Sequence, residues 1–435
     1  MKQKTFKGGI HPLDRKELTS SKPIETMEPP KILIIPLIQH IGAPSKPIVS
    51  IGDEIKRGQK IGEPTGFVSA SVHSSVSGKV IDITDSLNAM GRLVKSIFIE
   101  NDFRDDTIHF EEIKDYLNLS PESLKERIKE AGIVGMGGAT FPTIVKLSPP
   151  KEKPIDTVIL NGSECEPYLT SDYRLMLEKP FEIIEGLKII MKILNVNKGY
   201  IGIEDNKPEA IKSLKDVVKN ERDISIISLP TKYPQGAEKM LIKVITNRQV
   251  PPKALPMDVG VLVQNVGTSY AIYEAVRFGK PLIERVTTIS GEGINEQKNL
   301  LIRIGTTIED VINFCKGING RNIKIIIGGP MMGFAAQSLK TPIIKGTSGI
   351  IVLKDEDIID SSNFLNCIRC GRCINACPMG LMPSMLSIYA ERGFYEGAKE
   401  YNLFDCFECG SCTYVCPSKR PIVQLIRLAK SQVKP

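Results

Sequence analysis

The sequence predicts a multidomain chain of α/β and β modules: a small all-β module, an α/β domain with a parallel sheet, an α+β module and a cysteine-rich C-terminal domain. Three observations predict it. Short β-branched runs between glycine turns fill residues 31–101, helical and strand patterns alternate from 121 to 275, and one cysteine motif occurs twice near the C-terminus. At 435 residues the chain is also too long for one ordinary domain.

Residues 1–30 are polar, broken by prolines and end in Pro29-Pro30, so they read as an extension. Across 31–105, runs such as Ile48-Val49-Ser50-Ile51-Gly52-Asp53 predict short strands joined by turns. Within 115–275 the period changes. Ser123 to Glu130 reads as a helix entering a glycine loop, Thr157 to Leu160 as a strand, Phe181 to Ile193 as an amphipathic helix and Tyr200 to Ile203 as another strand. Residues 276–355 return to short strands around one helix near Ile308 to Cys315, and 356–435 form the cysteine-rich domain.

Hydrophobic residues at 41% and charged residues at 25% permit packed cores and argue against wholesale disorder. The longest apolar runs are far shorter than a bilayer span, and MKQKTFKGGIHP has no apolar signal-peptide region. The expected location is therefore cytoplasmic, with any membrane association made through a partner. The formal charge of +7 counts the thiols as neutral, and no lysine- or arginine-rich run is present, so nucleic acid is excluded as a partner class.

Eight of the ten cysteines lie between Cys367 and Cys416, while Cys165 and Cys315 stand alone. Such clustering suits metal ligation in a reducing compartment better than a disulfide framework. CIRCGRCINACP at 367–378 and CFECGSCTYVCP at 406–417 each read C-x-x-C-x-x-C-x-x-x-C-P. Three thiolates at this spacing wrap one face of a [4Fe–4S] cubane, and the fourth cysteine serves the other cluster of a two-cluster ferredoxin. Cys367, Cys370, Cys373 and Cys416 are thus assigned to one cluster, and Cys406, Cys409, Cys412 and Cys377 to the other. Structural zinc also uses paired C-x-x-C knuckles, but two full copies with both prolines favour cubanes. Two such clusters with their thiolates would bring the net charge to about +3.

A second constellation is Gly135-Met136-Gly137-Gly138-Ala139-Thr140-Phe141-Pro142-Thr143, followed by Lys146. Glycines let backbone amides approach an anion, and the lysine adds a point charge, although a glycine-rich turn alone is more often a tight connection. Asn161-Gly162-Ser163-Glu164-Cys165-Glu166-Pro167 follows the strand at Thr157, where ligands of open α/β sheets bind.

These two stretches, with Asp172-Tyr173-Arg174, resemble the flavin-binding, NADH-oxidising flavoprotein subunit of respiratory complex I. Tyr233-Pro234-Gln235-Gly236-Ala237-Glu238 and Gln264-Asn265-Val266-Gly267-Thr268 resemble two further flavin loops of that family. With FKGGIHP at 6–12 and the tandem cysteine repeats, nearly the whole chain resembles the RnfC family, a subunit of the Rnf electron-transport complex. The resemblance implies that Gly135, Gly137, Gly138, Lys146, Asn161, Glu164, Gly236 and Asn265 contact non-covalent FMN. It also implies that Phe141, Glu166 and Glu238 face NAD(H), with Glu166 and Glu238 in the catalytic roles. Ser163 and Ala237 depart from the complex I pattern, which has acidic residues there.

Residues 48–80 resemble a barrel-sandwich hammerhead without its lysine-bearing hairpin, so covalent cofactor attachment is not expected. Residues 280–350 resemble a β-grasp (SLBB-like) module. His11, His40, His73 and His109 have no partners in a metal or catalytic pattern and read as structural or surface residues, and Cys165 and Cys315 as small packed residues. The function the resemblance implies is a peripheral subunit at the cytoplasmic face of the cell membrane. It would move electrons between NAD(H), FMN and two [4Fe–4S] clusters, toward membrane-embedded subunits of an ion-translocating complex, with ferredoxin acting through another subunit. The alternatives are a corrinoid reductase of a microcompartment and a non-enzymatic electron-transfer subunit without flavin.

Overall fold

Four parallel strands form the sheet around which the chain is organised, in the order Ile224–Leu229, Gly199–Glu204, Thr157–Asn161, Val261–Asn265. The structure is a computed structural model describing residues 5–354, 358 and 364–434. Val158, Ile159, Leu160, Ile201 and Ile203 are fully buried, as strands covered by helices on both faces require. Each such side chain contributes about 1.5–3 kcal/mol relative to exposure.

Helix Pro180–Leu194 covers one face of this sheet. It starts on proline at its first position, where the missing amide costs nothing, and stops at Asn195 in the left-handed conformation (φ 53°). Ile183, Ile184, Leu187 and Ile190 give it a continuous buried stripe at helical spacing. Gly186 lies where any side chain would strike the Ser269 carbonyl, so this helix and helix Val266–Phe278 approach backbone to backbone. Substitution there would push away the helix that begins at the end of the sheet.

The N-terminal β module has one sheet ordered Ile32–Pro36, Leu93–Asn101, Gly78–Leu87, Glu54–Ile55, and a second of Lys46–Pro47, Lys60–Glu63 and Val72–His73. Leu33, Ile35, Ile61, Val72, Val80, Ile97 and Ile99 fill the space between them. A third, six-stranded mixed sheet is ordered Ile24–Thr26, Lys298–Arg303, Glu284–Ser290, Gly349–Lys354, Ile323–Ile327, Phe334–Ala335. Helix Ile308–Phe314 packs on it, capped by Thr307 and Asp310.

The segment read from sequence as an N-terminal extension is woven into this assembly. Ile24–Thr26 pairs in parallel with Lys298–Arg303, and Phe6 and Ile10 are buried. Polar composition conceals this because so short a strand needs backbone partners more than apolar side chains.

Residues 364–434 contain helices and no strand among those described, with Leu386, Ala390, Ala398, Leu403, Ile422 and Ile426 as their core. Both cysteine repeats take one local shape. Arg369 and Gly371 in the first, and Glu408 and Gly410 in the second, all have positive φ, followed by helices Arg372–Ala376 and Ser411–Tyr414. No helix among the described residues is long and apolar enough to cross a membrane.

Candidate functional site

Strand order in the parallel sheet reverses between Thr157–Asn161 and Val261–Asn265, which creates a crevice at their carboxyl ends. Asn161 and Asn265 are direct register partners at that point. Asn161 Nδ2 donates to the Gly236 carbonyl (2.8 Å). Asn265 Oδ1 accepts from the Gly267 and Thr268 amides (2.8 and 3.3 Å), capping helix Val266–Phe278, while its Nδ2 donates to Asp172 (2.6 Å).

The glycine loop arrives at the same helix end. The Met136 amide donates to Thr268 Oγ1 (2.8 Å), the Gly135 amide to the Phe141 carbonyl (2.8 Å), and Gly137 lies against Asn265. Lys146 ends the short helix Thr143–Lys146, and its Nζ reaches Glu238 Oε1 (3.0 Å) and the Val263 carbonyl (3.0 Å). Gly135, Gly137, Gly138, Phe141, Lys146, Asn161, Gly236, Glu238 and Asn265 are thus gathered at one edge.

The two carboxylates after the strand have partners of their own beside the crevice. Glu164 accepts from the Asp172 and Tyr173 amides (2.7 and 3.2 Å) and holds the start of helix Ser171–Glu178. Burial, and then the neighbouring Glu164 charge, push the Asp172 carboxyl up to about 7. Glu166 accepts from the amides of Met331 and Met332 (3.0 and 2.9 Å) in the third sheet's module. Burial pushes its carboxyl up to about 7, against the opposing effect of those two amides. Among the described residues Glu166 makes no hydrogen bond to the 135–143 loop.

Cys165 Sγ accepts from the Gly236 amide (3.3 Å), and burial raises its thiol far above the usual range, so it remains a neutral thiol. Cys315 is fully buried in the core under the third sheet. His40 accepts the Ala70 amide at Nε2 (3.1 Å), a structural role.

Polar groups without partners mark where a ligand fits. Among the described residues the amides of Gly137, Gly138, Ala139 and Thr140 donate to no protein acceptor. Gln235 is fully buried with neither amide atom bonded, and Ser163 Oγ, Gln264 Nε2 and Thr143 Oγ1 are likewise buried and unpartnered. A buried side-chain amide left unpaired costs about 1–3 kcal/mol, so Gln235 and Gln264 call for a polar occupant. The loop amides of Gly137 to Thr140, on exposed or half-buried residues, are free to donate to one. Free amides, Lys146 and amide side chains suit a phosphate-bearing, heteroaromatic cofactor, and FMN fits. Gln235 and Gln264 are not distinguishable by spacing or composition; burial without a partner is what singles them out.

The cysteines of the two repeats lie close enough to act on one another. Burial pushes the Cys406 thiol up to about 11, with Cys409 and Cys377 adding to the rise. Burial likewise raises Cys409 and Cys412, and Cys377 contributes to both. Burial mainly raises Cys373, with Cys367 and Cys416 adding to the rise, and Cys373 in turn contributes to that of Cys412. Cys377 thus acts on three thiols of the second repeat and Cys416 on Cys373 of the first, while Cys373 also acts on Cys412, so the two thiol sets adjoin. Among the described residues no three His, Cys, Asp or Glu side chains converge tightly enough to share one metal ion. A cubane gives each thiolate its own iron corner, so the donor set fits two cubanes without such convergence.

Residues 128–274 match the Nuo51 FMN-binding domain, 4–104 the RnfC barrel sandwich hybrid domain, 286–335 the SLBB domain and 366–419 the 4Fe-4S dicluster domain. FMN and iron–sulfur clusters are accordingly its cofactors. The chain is 55% identical to the C subunit of the proton-translocating ferredoxin:NAD(+) oxidoreductase complex of Clostridium ljungdahlii, across 99% of this chain and 94% of that one. It is 47% identical to the C subunit of the Na(+)-translocating complex of Acetobacterium woodii (100% and 98% covered). Identity to the C subunit of the ion-translocating oxidoreductase complex of Rhodobacter capsulatus is 42% (99% and 83% covered). Among solved structures, an NAD+-reducing [NiFe]-hydrogenase in the H2-reduced state shares the fold with a TM-score of 0.52 at 16% identity, over 74% of this chain and 64% of that one. On full-length identity and matched domains alike, the chain belongs to the RnfC family, the electron-transfer subunits of that name in ion-translocating ferredoxin:NAD(+) oxidoreductase complexes.

Proposed function

We propose that the chain is the peripheral, NAD(H)-handling subunit at the cytoplasmic face of the membrane, with electrons passing through its two clusters to membrane-embedded subunits. Bound FMN supplies hydride exchange with the nicotinamide and the change from paired to single electrons. The chain's own residues supply position and charge. The free amides of Gly137 to Thr140 and the Lys146 ammonium hold the flavin phosphate. Asn161, Asn265, Gly236 and the unpaired Gln235 amide orient the ring system, and Glu164 keeps the helix behind it in place.

Phe141 offers an apolar surface for the nucleotide, and Glu238 accepts a hydrogen bond from it while neutralised in part by Lys146. Glu166 acts at the wall between this crevice and the cluster domain. The observation that carries the reading is the register pairing of Asn161 with Asn265 at the sheet's switch point, beside a loop of unpartnered amides. NADH oxidation by the FMN- and cluster-loaded chain, with ferricyanide as acceptor, tests it. Turnover dependent on Lys146 is expected; turnover no faster than free FMN would contradict it.

A further inference from the structure

The two cysteine repeats are alike in sequence and opposite in surroundings. Gly410 of the second repeat sits so close to the Met331 carbonyl that a Cβ would lie 2.8 Å from it, whereas the equivalent Gly371 faces open space. Glu408 is pinned by Arg427 (2.9 Å) and Lys430 (2.8 Å), but the equivalent Arg369 has no partner among the described residues. Phe407 packs with Tyr233, Cys165 and Cys409, while its counterpart Ile368 is 66% exposed. Buried Ser411 likewise corresponds to exposed Arg372, which has no acidic partner among the described residues. The second repeat therefore faces the flavin module and the third sheet's module, whereas the first is docked only at its Ala376–Cys377 end and is exposed at Leu365, Ile368, Arg369, Cys370 and Arg372.

The outward face has a definite chemistry. Leu365 (68% exposed), Ile368 and exposed Cys370 form its apolar part, and Arg369, Arg372 and Lys419 surround it. Residues 364–376 and 416–420 contain no Asp or Glu. Three cations that have no acidic partner among the described residues, around a partly exposed thiol set, favour a partner of opposite charge, which raises encounter rates and fixes orientation. Apolar residues at the centre supply the desolvated contact.

We propose that the face around Cys367, Cys370 and Cys416 docks a carboxylate-rich redox protein domain that exchanges single electrons with the cluster those thiols hold. The proposal rests on the cluster-bearing reading above. One electron leaves the reduced cluster and enters the partner's oxidised centre, with no bond made or broken, and the reverse for opposite flow.

The test uses the FMN- and cluster-loaded chain and membranes from cells lacking this subunit, with sedimentation at low and high salt. One variant combines Arg369→Glu, Arg372→Glu and Lys419→Glu. A second, Leu365→Glu with Lys419→Glu, leaves the cysteine loops untouched. Both are expected to lose about tenfold or more in apparent affinity at low salt, and wild-type binding is expected to weaken as salt rises. Their flavin should still bleach with NADH. Wild-type-like binding by the second variant would overturn the proposal. So would equal binding to protein-free vesicles containing phosphatidylglycerol, which would make the face a lipid contact. Absence of cluster EPR signals in the unsubstituted chain would instead overturn the underlying reading, and the proposal with it.

Discussion

The Tyr233 hydroxyl donates a hydrogen bond to the main-chain carbonyl of Cys409 across 2.6 Å. The same tyrosine exchanges both backbone hydrogen bonds with Ile10 (2.8 and 2.9 Å), so one residue ties the N-terminal segment, the Gly236 loop and the second cysteine repeat together. Tyr233→Phe keeps the ring and leaves a buried carbonyl without its donor. The expected cost is about 1–3 kcal/mol of stability in denaturant titration, with slower electron transfer from photoreduced flavin to the clusters. Iron content should not change. Unaltered stability and transfer would show that the bond couples nothing.

Crossed ligation makes a sharper claim about the cysteines. Cys377 lies in the first repeat but its charge raises the thiols of Cys406, Cys409 and Cys412. Cys377→Ala and Cys406→Ala should therefore alter one and the same EPR signal, and Cys367→Ala the other. A match between Cys377→Ala and Cys367→Ala would mean that each repeat closes its own cluster.

Glu238 and Glu166 should separate in their effects. Glu238 pairs with Lys146 at the crevice, and losing a charged hydrogen bond of about 1.5–3 kcal/mol corresponds to roughly ten- to a hundredfold slower reaction. Stopped-flow reduction of the flavin by NADH should slow by that much in Glu238→Gln. Glu166 holds the Met331 and Met332 amides instead, so Glu166→Gln should leave flavin reduction within about twofold and slow onward transfer to the clusters. Slow flavin reduction in Glu166→Gln would instead place it at the nucleotide.

Lys345 provides a pH signature. Its buried ammonium donates to the carbonyls of Ser71 and Gly132 (2.7 Å each), joining the N-terminal β module, the α/β domain and the third sheet. Burial lowers its pKa from 10.5 to about 7. The unfolded chain binds this proton more tightly, so its contribution to stability rises with pH between about 7 and 10.5 and is lost as pH falls toward 7. The slope approaches about 1.4 kcal/mol per pH unit at most. Lys345→Met should flatten the stability difference between pH 7 and pH 9; an unchanged slope would assign it to other groups.

Periodicity was enough to find the parallel sheet and helix Pro180–Leu194, because strands buried on both faces and a striped helix leave strong patterns. The cysteine spacing marked the dicluster domain for a similar reason: ligand geometry is local and fixes sequence distance. Ile24–Thr26 was not legible, since its pairing with Lys298–Arg303 is a backbone matter that composition does not record. Nor did spacing reveal that Glu164 and Glu166, two residues apart, serve a helix start and a distant turn. Glu164 has a positive φ (45°), which turns the chain between them. Gln235 was invisible as a site residue because its signature is three-dimensional: full burial with no partner.

The most direct test of flavin chemistry at the Asn161–Asn265 crevice is anaerobic stopped-flow bleaching of the flavin by NADH in the FMN- and cluster-loaded chain. Rapid, saturable bleaching is expected, lost in Lys146→Ala in step with lost FMN binding. Bleaching no faster than that of free FMN, or unaffected by Lys146→Ala, would contradict the account.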